Sequence, residues 1–232
     1  MSKIIFYLHA TVGQSSALAD AAIALASHSM FGKYALHLAV MTPCTSDLLA
    51  IPAGSHFLAK LDLIVEVTFP AGQPIKRLQA ELRAAMSLML DTVDRSESCL
   101  LLGYQRTFQE SGKKPLRYHY LMFRGEDYSR ADYLDYYIHS HYRFGVATPL
   151  ADYYQNYLDQ EGGRELAALF GVNAHDADNI SELRFERLED YVFSDVIREI
   201  APEAATDEQL FVNRDRCQSF SMDVILDSRP YC

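Results

Sequence analysis

Ser27-His28-Ser29-Met30-Phe31-Gly32 and Ser140-His141-Tyr142-Arg143-Phe144-Gly145 share the pattern S-H-x-x-F-G, about half a chain apart in 232 residues. An echo at a long fixed offset constrains a fold more than local propensity does, because two copies of one unit can bury a face that neither buries alone. The echo extends upstream. Ser16 and Ser129 stand at the same offset before each His, where a side-chain oxygen can N-cap a helix. The predicted helices, Ser16 to Gly32 and Ser129 to Gly145, both end at Gly, a residue that turns left-handed at low cost. A strand-like run precedes each, Lys3 to Ala10 and Arg117 to Arg124.

The remaining elements repeat in order. In the first half, Lys33 to Met41 reads as a strand with Leu36, Leu38 and Val40 on one face. Leu61 to Phe69 alternates with Leu61, Leu63, Val65, Val67 and Phe69 on one face, the period of a half-buried strand. A loop with Pro43, Pro52 and Gly54 joins these two. Pro74 opens a helix to about Leu90, and Cys99 to Phe108 closes the half. Gln109 to Pro115 is a polar connector. In the second half, Tyr153 to Leu158, Ile180 to Arg187 and Phe220 to Leu226 read as strands, with a helical insertion over Gly163 to Gly171 and a second helix from Glu189. The expected class is therefore α+β: two tandem ferredoxin-like β-α-β-β-α-β units, residues 1–108 and 116–228. Each sheet would have helices on one face only, so the two bare faces would meet as an intramolecular dimeric α/β barrel.

Composition narrows the function classes. With 49% hydrophobic and 22% charged residues the chain can bury a sizeable core. A net charge of −10 argues against nucleic acid, whose phosphates demand Lys and Arg. No apolar run is long enough for a membrane helix and no signal peptide is evident, so a cytoplasmic location without membrane partners is expected. Cys44, Cys99, Cys217 and Cys232 lack C-x-x-C spacing and read as isolated thiols.

The second half resembles a known family. Tyr133-x-x-Tyr136-Tyr137-x-x-x-His141 is similar to the helix signature of the EthD family. Tyr153-Tyr154-Gln155-Asn156-Tyr157 resembles its Y-x-Q-N strand, and Ile180 to Phe185 followed by Leu188-Glu189-Asp190-Tyr191 its E-x-x-F strand and next helix start. Asp207-Glu208-x-x-Phe211 resembles its D-E-x-x-F segment. Tyr142 and Arg143 depart from the pattern, standing where the family has a small residue and Pro. The resemblance implies a dimeric α/β barrel, here fused into one chain, and a role in degradation or biosynthesis of small hydrophobic or aromatic molecules.

At about 100° per residue Tyr133, Leu134, Tyr137, His141 and Phe144 share one helix sector. His141 therefore reads either as a hydrogen-bonded core residue or as an acid/base group tuned by burial. Residues two apart on a helix face different ways, so His139 and His141 do not make a metal pair, and no metal is expected. In the first strand Ile4, Phe6 and Leu8 should cover helices, leaving Ile5, Tyr7 and His9 for the lumen. Aligning His9 with Arg124 sends Tyr120, Met122 and Arg124 inward, and Glu66 also points in. Such a lumen is either packed solid or an aromatic pocket with polar tips. The 15 tyrosines, concentrated between Tyr128 and Tyr157, suit a pocket or a subunit interface equally.

Candidate catalytic residues are His141 and Tyr137, and candidate substrate-binding residues Tyr120, Arg124, Tyr157, Tyr7 and His9. No nucleotide, phosphate or metal motif is present, so no cofactor is expected. The preferred function is an enzyme on a small hydrophobic or aromatic metabolite, a cofactor-free cyclase, dehydratase or monooxygenase. The alternative is a non-catalytic binding or accessory protein, and whether the fused unit forms a homodimer stays open.

Overall fold

Strict alternation along the strands divides their side chains between two environments, and this division builds the molecule. The computed structural model describes residues 1–44, 61–148 and 150–229. β1 (Ser2–Leu8), α1 (Ser15–Ala24), α2 (Ser29–Tyr34), β2 (His37–Pro43), β3 (Leu63–Phe69), α3 (Gln79–Leu90) and β4 (Cys99–Gln109) form the first half. The second half holds β5 (Leu116–Met122), α4 (Arg130–Tyr136), a π-helical turn (Tyr137–His141), α5 (Tyr142–Val146) and β6 (Asp152–Leu158). It continues through α6 (Gln160–Phe170), β7 (Asn173–Ala174), β8 (Asn179–Phe185), α7 (Leu188–Val192), α8 (Asp195–Phe211) and β9 (Gln218–Asp227).

Eight strands close into an antiparallel barrel in the order β1-β3-β2-β9-β5-β8-β6-β4, with β4 returning to β1. The seams between halves are the pairings β2–β9 and β4–β6. The short β7 adds to β4 in parallel. Closure removes the open edges that would otherwise invite pairing with other chains. No helix among the described residues is long and apolar enough to cross a membrane.

Outside the first half, Ile4, Phe6, Leu8, Val65, Val67 and Phe69 pack against α1 and α3, as their alternation predicts. α3 buries Leu82, Ala85, Met86, Met89 and Leu90 against this layer. α6 reaches across from the second half and adds Leu166, Ala167 and Phe170, with the Phe6 and Phe170 rings 5.3 Å apart. Gly171 ends α6 in the left-handed conformation, φ 69°.

Several expectations need correction. The helix predicted from Ser16 to Gly32 breaks at His28, whose extended backbone (ψ 130°) lets its ring Nδ1 accept from Met30 N–H and cap α2. Ser16 lies inside α1 and caps nothing, whereas Ser129 accepts from Asp132 N–H as expected. Gly32 and Gly145 lie within α2 and α5 and do not end them. Leu36 precedes β2 and is exposed. The Pro52 and Gly54 loop and Cys232 fall outside the described residues.

The interior differs most from expectation. Glu66 does point inward, but the residues of β5 that join it are Arg117 and His119. Tyr7 meets His119, hydroxyl to Nδ1, at 2.8 Å. The register transferred from His9 to Arg124 is thus displaced by one residue, which turns every side chain of β5 to the opposite face. Tyr120 and Met122 consequently lie on the outer, helix-covered side, and Arg124 lies beyond the strand. The lumen holds Lys3, Arg117 and Arg184 against Glu66, Glu182 and Asp227. Lys3 Nζ sits 2.9 Å from Glu66 and 2.6 Å from Glu182, and Arg184 Nε 2.7 Å from Glu182. Gln105 and Asn156 also donate to Glu182, at 3.2 and 3.1 Å.

Removing one partner of a buried ion pair leaves a charge uncompensated, which costs about 3–5 kcal/mol. Lys3→Met should lose stability on that scale in urea denaturation. Lys76→Met, whose pair with Glu165 is exposed, should leave the midpoint unchanged.

Candidate functional site

α3 and α8 cover corresponding sheet faces in very different ways. α3 buries five side chains, but the 17-residue α8 buries only Asp207 and Phe211. Ala201, Ala204 and Ala205 on α8 are too short to fill the gap to the sheet, and Ile197 and Ile200 line it half-buried. The result is a cavity of about 320 Å³ between α8 and the outer face of the second-half strands. That volume is at the small end of ligand pockets. Tyr118, Tyr120 and Tyr153 form its floor, and His141, Tyr191, Glu208 and Arg214 stand on its walls.

The helix carrying His141 is held by packing of Tyr133, Tyr137 and Phe144, all buried. Tyr133 and Tyr137 stack with centroids 6.3 Å apart and planes 2° from parallel, and Tyr137 stacks on His141 at 5.7 Å. The backbone winds as a π-turn over Tyr137–His141. Such turns interrupt α-helices frequently at functional sites. Gly145 allows the close approach of β6, because a Cβ there would strike the Tyr153 ring.

His141 Nδ1 donates to Asp207 Oδ2 at 2.8 Å. A carboxylate only accepts, so this bond places the proton on Nδ1 and leaves Nε2 with its lone pair. Tyr136 donates to the other Asp207 oxygen at 2.8 Å, and Arg143 lies 3.5 Å from it. Nε2 stands 3.9 Å from Glu208 Oε1. Burial lowers the His141 pKa below its ordinary value, although the bond to Asp207 opposes that shift. Burial raises Glu208, against the pull of Arg214 and the hydrogen bond from Tyr120. Near neutral pH the site therefore presents an oriented, uncharged imidazole of the kind that accepts protons.

Among the sequence-selected residues, the structure brings together His141 and Tyr120 at the cavity, with Tyr137 packed behind His141. The others lie elsewhere. Tyr7 is in the barrel interior, and His9 donates its backbone N–H to Ser98 Oγ. Arg124 pairs with Asp178 in a polar surface groove. Tyr157 donates to Gln155 beside the Tyr137 ring, where burial pushes its pKa up to about 12. Asp207 and Glu208 were visible only as part of a motif. Their roles depend on α8 lying against the π-turn, a contact that spacing along the chain does not reveal.

His139 bonds to exposed Asp135 and takes no part with His141. Glu66, His119 and Glu182 do offer three potential metal-ligand atoms within 4.8 Å of one another. Lys3 bridges the two carboxylates and Arg117 pairs with Glu66, so cationic side chains already neutralise that donor set. Its chemistry does not suit a further cation.

No family model matches the chain, and no curated protein matches it. Solved structures do. An anthrone oxidase-like protein superposes with a TM-score of 0.62 at 11% identity, over 97% of this chain and 91% of the other. A candidate monooxygenase from Lactobacillus acidophilus NCFM matches at 0.60 and 7%, over 100% and 97%. A second candidate monooxygenase, from Fusobacterium nucleatum subsp. nucleatum, matches at 0.62 and 5%, over 97% and 93%. At these identities the likeness is one of fold.

Gly145→Ala should displace the Tyr153 ring and destabilise the protein by about 1–3 kcal/mol, the usual range for an overpacked site. Thermal unfolding measures this, and near-ultraviolet circular dichroism should change with the tyrosine environment.

Proposed function

We infer that this chain is an EthD-like enzyme of small-molecule metabolism, in which His141 removes a proton from a hydrophobic or aromatic substrate held between α8 and the sheet. The observation that carries this reading is the 2.8 Å bond from His141 Nδ1 to Asp207, which leaves Nε2 as the basic atom on the cavity side. The same strand order in both halves, β4-β1-β3-β2 and β9-β5-β8-β6, supports two tandem ferredoxin-like units, residues 1–108 and 116–228. In this reading the second unit works and the first is structural, since α3 fills the space that α8 leaves open.

In the proposed step the substrate C–H or O–H proton passes to His141 Nε2. Its electron pair stays on the substrate as an enolate or phenolate, and Asp207 stabilises the imidazolium. The Ser181 hydroxyl lines the cavity and is the donor assigned to the developing oxyanion, since Tyr120 already donates its proton to Glu208 Oε2. The activated substrate can then cyclise, lose water or, with dioxygen as co-substrate, be oxygenated. His141 and Asp207 need no further group to perform the proton transfer itself.

The test is solvent deuterium exchange at the acidic carbon of anthrone and of a cyclic 1,3-diketone, followed by mass spectrometry. His141→Ala should slow exchange by about 10²–10⁴-fold, the usual contribution of a positioned base, while ligand binding persists. Unchanged exchange would sink the catalytic reading in favour of a carrier protein. The pH profile adds a signed prediction. Because burial depresses the His141 pKa, the rate should rise through a midpoint below 6.5 and then level off. Asp207 holds that pKa up, so Asp207→Asn should move the midpoint lower still and reduce the plateau.

A further inference from the structure

Glu208 is the only acidic group, and Arg214 the only Lys or Arg, among the described residues lining the cavity. The two oxygens of Glu208 have different surroundings. Oε2 accepts from the Tyr120 hydroxyl at 3.2 Å and lies 3.7 Å from Arg214 Nε. Oε1 is the oxygen turned toward His141, 3.9 Å from Nε2. Asp207, the preceding residue, puts a second carboxylate behind the imidazole. Arg214 is already engaged with Glu208 and is 38% exposed at its side chain, so it meets that carboxylate from the solvent side.

These charges discriminate among ligands. A carboxylate entering the cavity would stand beside Glu208, while the sole lining guanidinium is committed to Glu208. An ammonium group would face Arg214 and meet a carboxylate whose charge is already partly answered. An uncharged hydroxyl, by contrast, can donate to Oε1 and keep its ring on the tyrosine floor. Partial burial makes each additional charge more expensive here than in water.

We propose that Glu208 sets the charge class of the ligand: the cavity accepts an uncharged aromatic molecule bearing a hydroxyl that donates to Oε1, and rejects the corresponding carboxylate. This rests on the reading of the cavity as a small-molecule site. Glu208 is then a specificity residue, distinct in role from His141. The mechanism is negative selection, in which a fixed like charge lowers affinity for the wrong partner.

The test is calorimetric titration of the full chain with naphthol, naphthoate and naphthylmethylammonium, which share one ring system and differ in charge. The intact protein should bind naphthol at least about tenfold more tightly than either charged relative. Glu208→Gln, an isosteric change, should shrink the naphthol–naphthoate gap to less than about threefold through a gain in naphthoate binding. Arg214→Gln is the second variant and should widen the gap by removing the opposing cation. A naphthol–naphthoate gap that survives unchanged in Glu208→Gln would overturn the role of Glu208, whatever Arg214→Gln does, and leave the cavity reading standing. Tighter binding of the ammonium compound to the intact protein would also overturn the proposed charge class. If none of the three binds, the small-molecule reading of the cavity fails, and this inference fails with it.

Discussion

Lys3 stands inside the barrel between Glu66 and Glu182, and the closed sheet is arranged around that contact. Glu66 belongs to the first half and Glu182 to the second, so one ammonium group ties the two halves of the barrel through their inward faces. Arg117 answers Glu66 from the opposite half, and Asp227 accepts from the same guanidinium. Burial by itself would push both glutamates toward the neutral form, but Lys3, Arg117 and Arg184 outweigh it and hold them ionised. Three cations against three carboxylates make a set in which each charge depends on the others. Such a network specifies one register, since a shift of one residue on any strand would turn its charged side chains toward the helices.

A filled interior also decides where a ligand can go. The lumen is occupied by ion pairs and by Tyr7, His119 and Phe220, whose rings meet edge-on. Available space therefore lies on the outer side of the sheet, under helices. There the halves diverge. Long side chains on α3 and α6 fill the layer over the first half, whereas alanines on α8 leave a gap over the second. One consequence of this asymmetry is that His28, half-buried as the cap of α2 and edge-on to Phe31, does not share the environment of His141. The internal echo thus relates two sequence segments that do different structural work.

The site combines two ways of controlling a buried imidazole. Burial makes protonation unfavourable, and Asp207 restores part of the basicity while fixing the tautomer. Packing by Tyr137, Phe144 and Phe211 restricts the ring. Glu208 then places a second carboxyl across the cavity edge, on the side of Nε2. The proximity of these three groups follows from one contact, α8 against the π-turn.

Much of the architecture was legible in the chain itself. The alternation of Leu63, Val65, Val67 and Phe69 located β3 and its helix-covered face, because a sheet with one apolar side has a period of two. The order of strands and helices in each half was readable for the same reason, and the tyrosine-rich helix announced a buried His141. For β5 the register carried over from His9 to Arg124 misleads: Arg117 and His119 share the face of Leu121, the opposite face of Tyr118, Tyr120 and Met122 is the more apolar one, and pairing with β8 and β9 turns the charged set into the lumen. Nor could local sequence show that Asp207 reaches His141 or that Lys3 reaches Glu182. Those contacts join residues far apart in the chain. Periodic patterns carry local geometry and the choice of buried face, while the partners of buried charges depend on barrel closure and helix placement, which tertiary structure alone decides.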